Sequence, residues 1–496
     1  MSANSTQSTR PVVISSNRGP LSFRRLDGDR FETVRGAGGL VTAVSAIARD
    51  GNLTWVACAL SDDDRAWAQD HPRATEIEGV RLRLISPTPQ AYHDHYNVIS
   101  NPLLWFIQHA MWDSPRAPNI DAATWDAWDN GYVAVNRQMA EAIADEVQSL
   151  DRTPVVMLQD YQFYLCGGLL RPLVGEEVSI QHFVHIPWPG PTHWTFLPPR
   201  MRQTIFRSLC KVDIVGFQTD RDGLNFLRCC QSHIPEAEVA YTRGEVVLEG
   251  RATRVGPYPI SVDVTGLEEM VATSEAVAGH TSQFRRYTGA MQLILRIDRA
   301  EPSKNIIRGF KAFELLLERY PEHIGRVQFL ALLVPSRLAV EEYRDYLDEV
   351  MAAAGWINAS YADGEWEPVR MLVGDNYARA VAALRLYDVL LVNPVLDGMN
   401  LVAKEGAVVN ETDGVLVLSE GAGAHEQLRE AALSVSAFDL VGQADKLHAA
   451  LTMPIQERRE RAQALRDMVC AHDVNEWFLR QLEDAEAVLA EKSGAE

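Results

Sequence analysis

LVNPVLDGMNLVAKE, residues 391–405, decides how this chain is read. Val389 to Val392 has the length and composition of a buried parallel strand. It runs into Asn393–Pro394 and then Asp397–Gly398, and Met399 to Val409 is helix-forming. A strand feeding a glycine turn and a helix leaves backbone N–H groups and a helix N-terminus facing one crevice. Asp397 and Glu405 set carboxylates on either side of those donors. Carboxylates accept from hydroxyls and N–H groups donate to oxygens, so the pattern suits a polyol carrying phosphate, a sugar nucleotide. The alternative of equal weight is a plain strand-to-helix turn in which Asp397 caps the helix.

Outward from that turn, β-branched runs alternate with helical patterns. Strands are predicted at 12–15, 53–60, 80–86, 154–159, 178–186 and 212–217, then at 291–297, 326–334, 368–373, 388–394 and 414–419. Helices are predicted around 131–149, 195–209, 219–230, 304–320, 338–354 and 439–485. Short strands between helices mean parallel sheets in an α/β class, and two such series mean two doubly wound domains. The irregular stretch TRVGPYPISVDV, 253–264, is the expected hinge. Ligands of open α/β sheets bind beyond the carboxyl ends of strands. Arg18, Asp160, His185, Arg296, Arg337, Asp375, Asp397 and Ser419 lie just past those ends, in both halves. A cleft lined from both domains is therefore expected.

With 496 residues the chain exceeds what one core supports, and its 47% apolar and 23% charged composition is that of a globular protein. No apolar run reaches the ~18 residues of a membrane span. MSANSTQSTR, the N-terminus, lacks a signal-peptide core and reads as a disordered tail. Six scattered cysteines without a CxxC pair predict reduced thiols and a cytoplasmic location. A net charge of −20 argues against nucleic acid and anionic membrane as partners, and makes each cation at a strand end more informative.

Five constellations carry the chemistry. RGAGGL, 35–40, precedes an amphipathic stretch, and its glycines suit either an anion contact or a tight turn. It is not GxGxxG, so a dinucleotide dehydrogenase is not indicated. In ILRIDRAEPSKN, 294–305, Arg296 follows an apolar strand and Lys304 opens the next helix. This pair could neutralise a leaving diphosphate, or instead satisfy Asp298 or Glu301 on the surface. His182 and His185 alternate along QHFVHIPWPG, and a strand histidine is more often structural than catalytic; no companion cluster has metal-ligand spacing. Asp62, Asp63 and Asp64 look like a metal–diphosphate DxD signature but read as solvated or capping carboxylates. Tyr96 and Trp105 in YNVISNPLLW could stack on sugars, with core packing as the default for Trp105.

These segments, in this order, resemble the trehalose-6-phosphate synthases of glycosyltransferase family 20. The carriers are SSNRGP, GAGGL, YNVISNPLLW, LQDY, VHIPWPGP, VGFQTDRD, YPISVD, RIDRAEPSKN, VPSR, LDGMNLVAKE and LVLSEGAGAHEQL, from about Pro11 to Leu482. The resemblance implies a GT-B fold. Residues 11–257 would form an acceptor domain after a tail at 1–10, and residues 258–475 a nucleotide-sugar domain facing it. Residues 476–496 would be a helix crossing back to the first domain. It implies retaining transfer of glucose from a nucleoside-diphosphate glucose to glucose 6-phosphate, without a metal or other cofactor. Carried over by motif, Gly39, Arg296 and Lys304 would hold the diphosphate and Glu405 the ribose. Asp397, Gly398, Met399, Asn400 and Leu401 would hold the donor sugar, with His185 at its 6-position. Arg18, Tyr96, Trp105, Asp160 and Arg337 would position the acceptor, the arginines meeting its phosphate. In the mechanism proposed for the family, the leaving phosphate oxygen takes the acceptor hydroxyl's proton on the same face, so catalysis is alignment plus charge stabilisation.

The chain departs from the family pattern. RLDYSKG becomes RIDRAEPSKN, with three extra residues between arginine and lysine. WVACAL has Cys58 where many members place a second tryptophan, and HDYH becomes QDYQ at 159–162. LVGDNYAR, 372–379, lacks residues common in uridine-using members, and Asp375 could accept from guanine N1–H and N2–H2. Similarity to the actinobacterial type points the same way, to GDP-glucose, with UDP-glucose as the other donor. The rival readings are a pseudo-glycosyltransferase or glucosylglycerol-phosphate synthase on the same scaffold, and a non-catalytic sugar-phosphate sensor. Homo-oligomerisation is left open.

Overall fold

The computed structural model describes residues 10–26, 30–35 and 53–494. The expected tail, and the glycine loop with Gly39 and the amphipathic stretch after it, lie outside them. The chain divides into two compact units, Met1–Tyr258 with Asn475–Glu496, and Pro259–Val474.

The first unit is built on a ten-stranded sheet. Its parallel centre comprises β1 (Val12–Ser16), β4 (Leu53–Cys58), β6 (Val80–Ile85), β7 (Val155–Gln159), β8 (Ser179–Phe183), β9 (Ile214–Phe217) and β12 (Arg251–Pro257). The antiparallel edges are β5 (Thr75–Ile77), and β10 (Glu238–Ala240) with β11 (Glu245–Leu248); β2 (Leu21–Leu26) and β3 (Arg30–Arg35) form a separate hairpin. The spatial order is β10-β11-β12-β9-β8-β7-β1-β4-β6-β5. β1, β4, β7, β8 and β9 are buried along their whole length, which is why they read as unbroken apolar runs. The helix Val474–Gly494 docks here: Trp477 donates its indole N–H to the Tyr258 carbonyl at 3.0 Å, and Gln481 accepts from Gln181 at 2.9 Å.

The second unit holds six parallel strands, β13 (Gln292–Arg299), β14 (Val327–Val334), β15 (Val369–Val373), β16 (Val389–Val392), β17 (Val415–Ser419) and β18 (Leu433–Val435). Their order, β15-β14-β13-β16-β17-β18, is the doubly wound 3-2-1-4-5-6. Ile294, Phe310, Phe313, Phe329, Leu391 and Val417 sit at the centre of its core.

Both sheets therefore have a switch point where the winding reverses, between β1 and β7 in one unit and between β13 and β16 in the other. Two expectations are corrected. The stretch 253–264 contains the division between the units, at Tyr258–Pro259, but its first part is no irregular linker, because Arg251–Pro257 pairs with both β9 and β11. The single helix expected over 439–485 is three, Leu440–Leu451, Ile455–Cys470 and Val474–Gly494, since Pro454 and the turn at 471–473 interrupt it.

Candidate active site

The LDGMN turn follows β16 at the second unit's switch point. Asp397 is pinned by its backbone: its N–H donates to the Gly421 carbonyl at 3.0 Å and its carbonyl accepts from Gly423 N–H at 3.2 Å. Gly421 permits this approach, because a Cβ there would fall 2.1 Å from the Val395 carbonyl oxygen. The helix begins at Leu401, not Met399. Its cap is Asn400, in left-handed backbone (φ 70°) and accepting from Ala403 N–H at 3.3 Å. Asp397 is therefore not the cap. Its Oδ2 instead accepts from Lys304 Nζ at 2.5 Å and Asn400 Nδ2 at 3.0 Å. The N–H groups of Gly398 to Leu401 find no acceptor among the described residues, as an anion-receptive helix start requires.

Lys304 ends the short turn Pro302–Lys304 after β13, and its side chain and that of Asp397 keep only 10% and 14% of their surface. Arg296 behaves differently, and the expectation that it meets the diphosphate is corrected. It is fully buried. Its guanidinium donates to Asp298 Oδ2 at 2.8 Å, the Lys304 carbonyl at 2.8 Å and Asn393 Oδ1 at 2.9 Å. Gly309 makes room for it, since a Cβ there would lie 2.3 Å from Nη1. The pairing with Asp298 is internal, not a surface pair. Asn393 continues to Gln443 Oε1 at 2.7 Å, and Asn305 bridges the Asn393 and Ala437 carbonyls at 2.9 and 2.8 Å. Arg296 thus braces the turn that carries Lys304.

Glu405 sits half-buried on the helix behind Asn400 and accepts from the Tyr377 hydroxyl at 3.0 Å. Burial pushes its carboxyl up, and the Tyr377 hydroxyl partly offsets that. Asp375 is exposed in the loop before the helix Tyr377–Leu384. Arg337, past β14, donates to Glu301 Oε1 at 2.8 Å and the Tyr343 hydroxyl at 3.0 Å.

In the first unit Arg18 is exposed past β1. Asn17 donates to the Tyr92 hydroxyl at 3.1 Å, and Tyr92 stacks on half-buried Tyr96 with ring centroids 5.7 Å apart. Trp105 is a correction: at 1% exposure, with its ring stacked on His109 at 3.9 Å, it offers no face to a sugar. The backbone break at Asn101 (φ −130°, ψ 115°) separates it from Tyr96. Trp55 is likewise internal, donating to Ser16 Oγ at 2.8 Å, and Cys58 is buried on the same strand.

Asp160, past β7, holds left-handed backbone (φ 71°), and its Oδ1 accepts from His185 N–H at 3.1 Å. His185 Nε2 meets Gln159 Oε1 at 2.8 Å. An amide oxygen can only accept, so Nε2 carries the proton and Nδ1 is left as an acceptor. Burial, with His182 nearby, lowers the imidazole to about 3 and keeps it neutral. Asp64 closes a capping box with Ser61, so the DDD run serves a helix start.

Sequence reasoning gave no site role to three residues that are buried here, Glu301, Asn393 and Lys404. Their signal is a polar residue inside an apolar frame, visible at Asn393 and Lys404. Lys404 is 2% exposed, bonds the Ile260 carbonyl at 2.7 Å, and burial lowers it to about 7. Among the described residues, Glu322, His323 and His448 could reach one metal ion, but the two imidazoles already bond each other at 3.0 Å.

Residues 10–487 match the profile of Glycosyltransferase family 20. The chain belongs to that family. A trehalose-6-phosphate synthase of Mycobacterium avium is 34% identical over 476 residues, covering 94% of this chain and 93% of the relative. An E. coli trehalose-6-phosphate structure bound with UDP-2-fluoro glucose is 28% identical, with a TM-score of 0.82 over 96% of this chain and 98% of that one. A UDP-forming alpha,alpha-trehalose-phosphate synthase from Burkholderia xenovorans, in complex with glucose-6-phosphate, is 26% identical, with a TM-score of 0.80 over 96% and 100%. The family 20 chain has the GT-B fold class, an α/β architecture of two Rossmann-like units. No helix among its described residues is long and apolar enough to cross a membrane.

Proposed function

We propose that this family 20 chain is an alpha,alpha-trehalose-phosphate synthase, moving glucose with retention from a nucleoside-diphosphate glucose to glucose 6-phosphate. The observation that carries this is the Lys304–Asp397 pair at a switch point beside unbonded helix-start N–H groups. A lysine there can follow negative charge onto a departing diphosphate, while Asp397 accepts from sugar hydroxyls. His185 Nδ1 is an acceptor suited to the 6-hydroxyl, and Arg18 and Arg337 suit the acceptor's phosphate. The relatives bound to a UDP sugar and to glucose 6-phosphate support both substrate classes.

The donor base is proposed to be guanine, because exposed Asp375 can accept from N1–H and N2–H2 together. Nothing in the reaction so described calls for a metal. Turnover of GDP-, ADP- and UDP-glucose, each with glucose 6-phosphate, tests the whole reading. GDP-glucose should give the highest kcat/KM; a flat or UDP-led ranking removes the guanine claim, and no product from any donor removes the synthase.

One observation favours a second reading. Trp105, Trp55 and Cys58 are all buried, so the aromatic surface expected for glucose is reduced. A cyclitol or glycerol-phosphate acceptor would then replace glucose 6-phosphate in the same screen.

A further inference from the structure

At the amino ends of the second unit's strands, opposite to the LDGMN turn, two histidines from distant parts of the chain meet. His323 closes the turn Pro321–His323 just before β14 begins, and His448 lies in the last turn of the helix Leu440–Leu451. Gln292, the first residue of β13, fixes the helix end here by donating its side-chain amide to the Leu451 carbonyl at 2.9 Å. His323 Nε2 and His448 Nδ1 stand 3.0 Å apart. Glu322 completes the group, since one ligand atom from each of the three residues lies within 4.8 Å of the other two.

Both rings are held in place by their own neighbours. The His448 imidazole stacks on Tyr320 with centroids 3.8 Å and planes 8° apart. Tyr320 donates its hydroxyl to Asp445 Oδ1 at 2.8 Å, on the same helix as His448. His323 is buried, and its backbone N–H donates to the Tyr320 carbonyl at 3.1 Å. Two imidazoles on one tetrahedral zinc, at ~2.0–2.1 Å each, hold their nitrogens about 3.3 Å apart. The pair is already close to that spacing. One ring now donates to the other, and a tautomer shift would move that proton to the donor ring's second nitrogen. Both lone pairs would then face a cation with no net proton release. Burial, with His448 and Arg326, holds His323 below its ordinary value against the opposite pull of Glu322, so the ring is neutral near neutral pH. Glu322 is exposed, so water can supply a fourth ligand. Imidazole nitrogens select against magnesium and calcium, which take oxygen, and suit zinc.

We propose that Glu322, His323 and His448 form a zinc site that ties the helix Leu440–Leu451 to the turn before β14. It lies at the opposite strand ends from Lys304 and Asp397, so the ion stabilises the second unit and takes no part in the transfer.

Zinc titration of the full chain, stripped with a chelator and carrying no affinity tag, tests this by calorimetry and thermal unfolding. One zinc should bind per chain. At a zinc concentration about a hundredfold above Kd, the unfolding temperature should rise by about 5 °C. Loss of even an outer-shell partner of a metal ligand costs roughly 10–100-fold in affinity, so Glu322→Gln should weaken binding at least tenfold and His448→Ala about a hundredfold or more. Both variants should keep the kcat of the zinc-free chain. No zinc binding by the wild-type chain overturns the proposal. So does binding that survives unchanged in both variants, which places the ion elsewhere, or a zinc-free kcat that falls with either one. Should His448→Ala fail to fold, Glu322→Gln decides alone, and unchanged affinity there also overturns it.

Discussion

The two switch points use opposite chemistry. After β13 and β16 the groups are charged and partnered, Lys304 with Asp397, Arg296 with Asp298 and Glu301 with two arginines. After β1, β7 and β8 they are hydrogen-bonded and largely neutral: Asn17 with Tyr92, Gln159 with His185, and Asp160 with a backbone N–H. Among the described residues at those strand ends, Arg18 stands as the exposed cation. Charged clusters can follow charge that moves during a reaction, whereas neutral networks fix orientation. If the proposed function holds, charge stabilisation should come chiefly from the second unit, and the first unit should contribute mainly to alignment.

The largest expected effect breaks the charged side. Lys304→Met should lower kcat about 10³-fold with the fold intact, because one preorganised charge is worth ~10²–10³ in rate. Circular dichroism and single-turnover kinetics check it, and a loss below tenfold would move charge stabilisation elsewhere.

Arg296→Met should show the reverse signature. Removing the guanidinium strands Asp298, whose carboxyl burial already pushes up against the pull of Arg296 and Lys304. Breaking a buried pair costs about 3–5 kcal/mol. Thermal unfolding should therefore drop by roughly 10 °C for a unit of this size. Folded enzyme at low temperature should retain far more turnover than Lys304→Met. If Arg296→Met instead unfolds normally and loses 10²-fold or more in rate, Arg296 reaches the diphosphate after all.

Arg296 and Lys304 also show what a sequence can reveal. Both follow one apolar strand, and local pattern gives them the same role. Their fates are decided by Gly309, Asn393 and Gln443, which the fold brings in from other elements. The central strands were legible because their apolar runs are buried on both faces, and LDGMNLVAKE because turn and helix signals coincide. The hairpin of β2 and β3 was not, since its charged, half-exposed residues lack a clean alternation. β12 was misread because Gly256 and Pro257 look like a linker, although they close a strand at its last two positions. Tyr96 and Trp105 share one segment, and only the break at Asn101 shows which ring turns inward.

Acid and alkali separate the units further. Burial lowers His95 and His182 to about 3 from an ordinary 6.5, so the unfolded chain takes up those protons first as pH falls. Their share of stability is complete above about 6.5 and is lost towards 3, by up to ~1.4 kcal/mol per pH unit for each ring. Lys404 is held neutral from about 7 upward, against an ordinary 10.5, so the second unit should gain stability as pH rises through that window. Urea unfolding across pH should show both limbs. His95→Phe should flatten the acid limb only, and Lys404→Met the alkaline one only. Either variant flattening both would mean the units do not hold their stability separately.

The smallest effect probes the contact between the Tyr377 hydroxyl and the Glu405 carboxylate. Tyr377 donates its hydroxyl to Glu405 at 3.0 Å and keeps 47% of its surface exposed, so its ring is held by little else. If that bond aims the carboxylate at the ribose, Tyr377→Phe forfeits about 1 kcal/mol of orientation. The donor KM should rise roughly fivefold, with kcat and the acceptor KM unchanged, because ribose contacts are made equally in ground and transition states. A fall in kcat would instead place Glu405 among the groups that act on the moving charge.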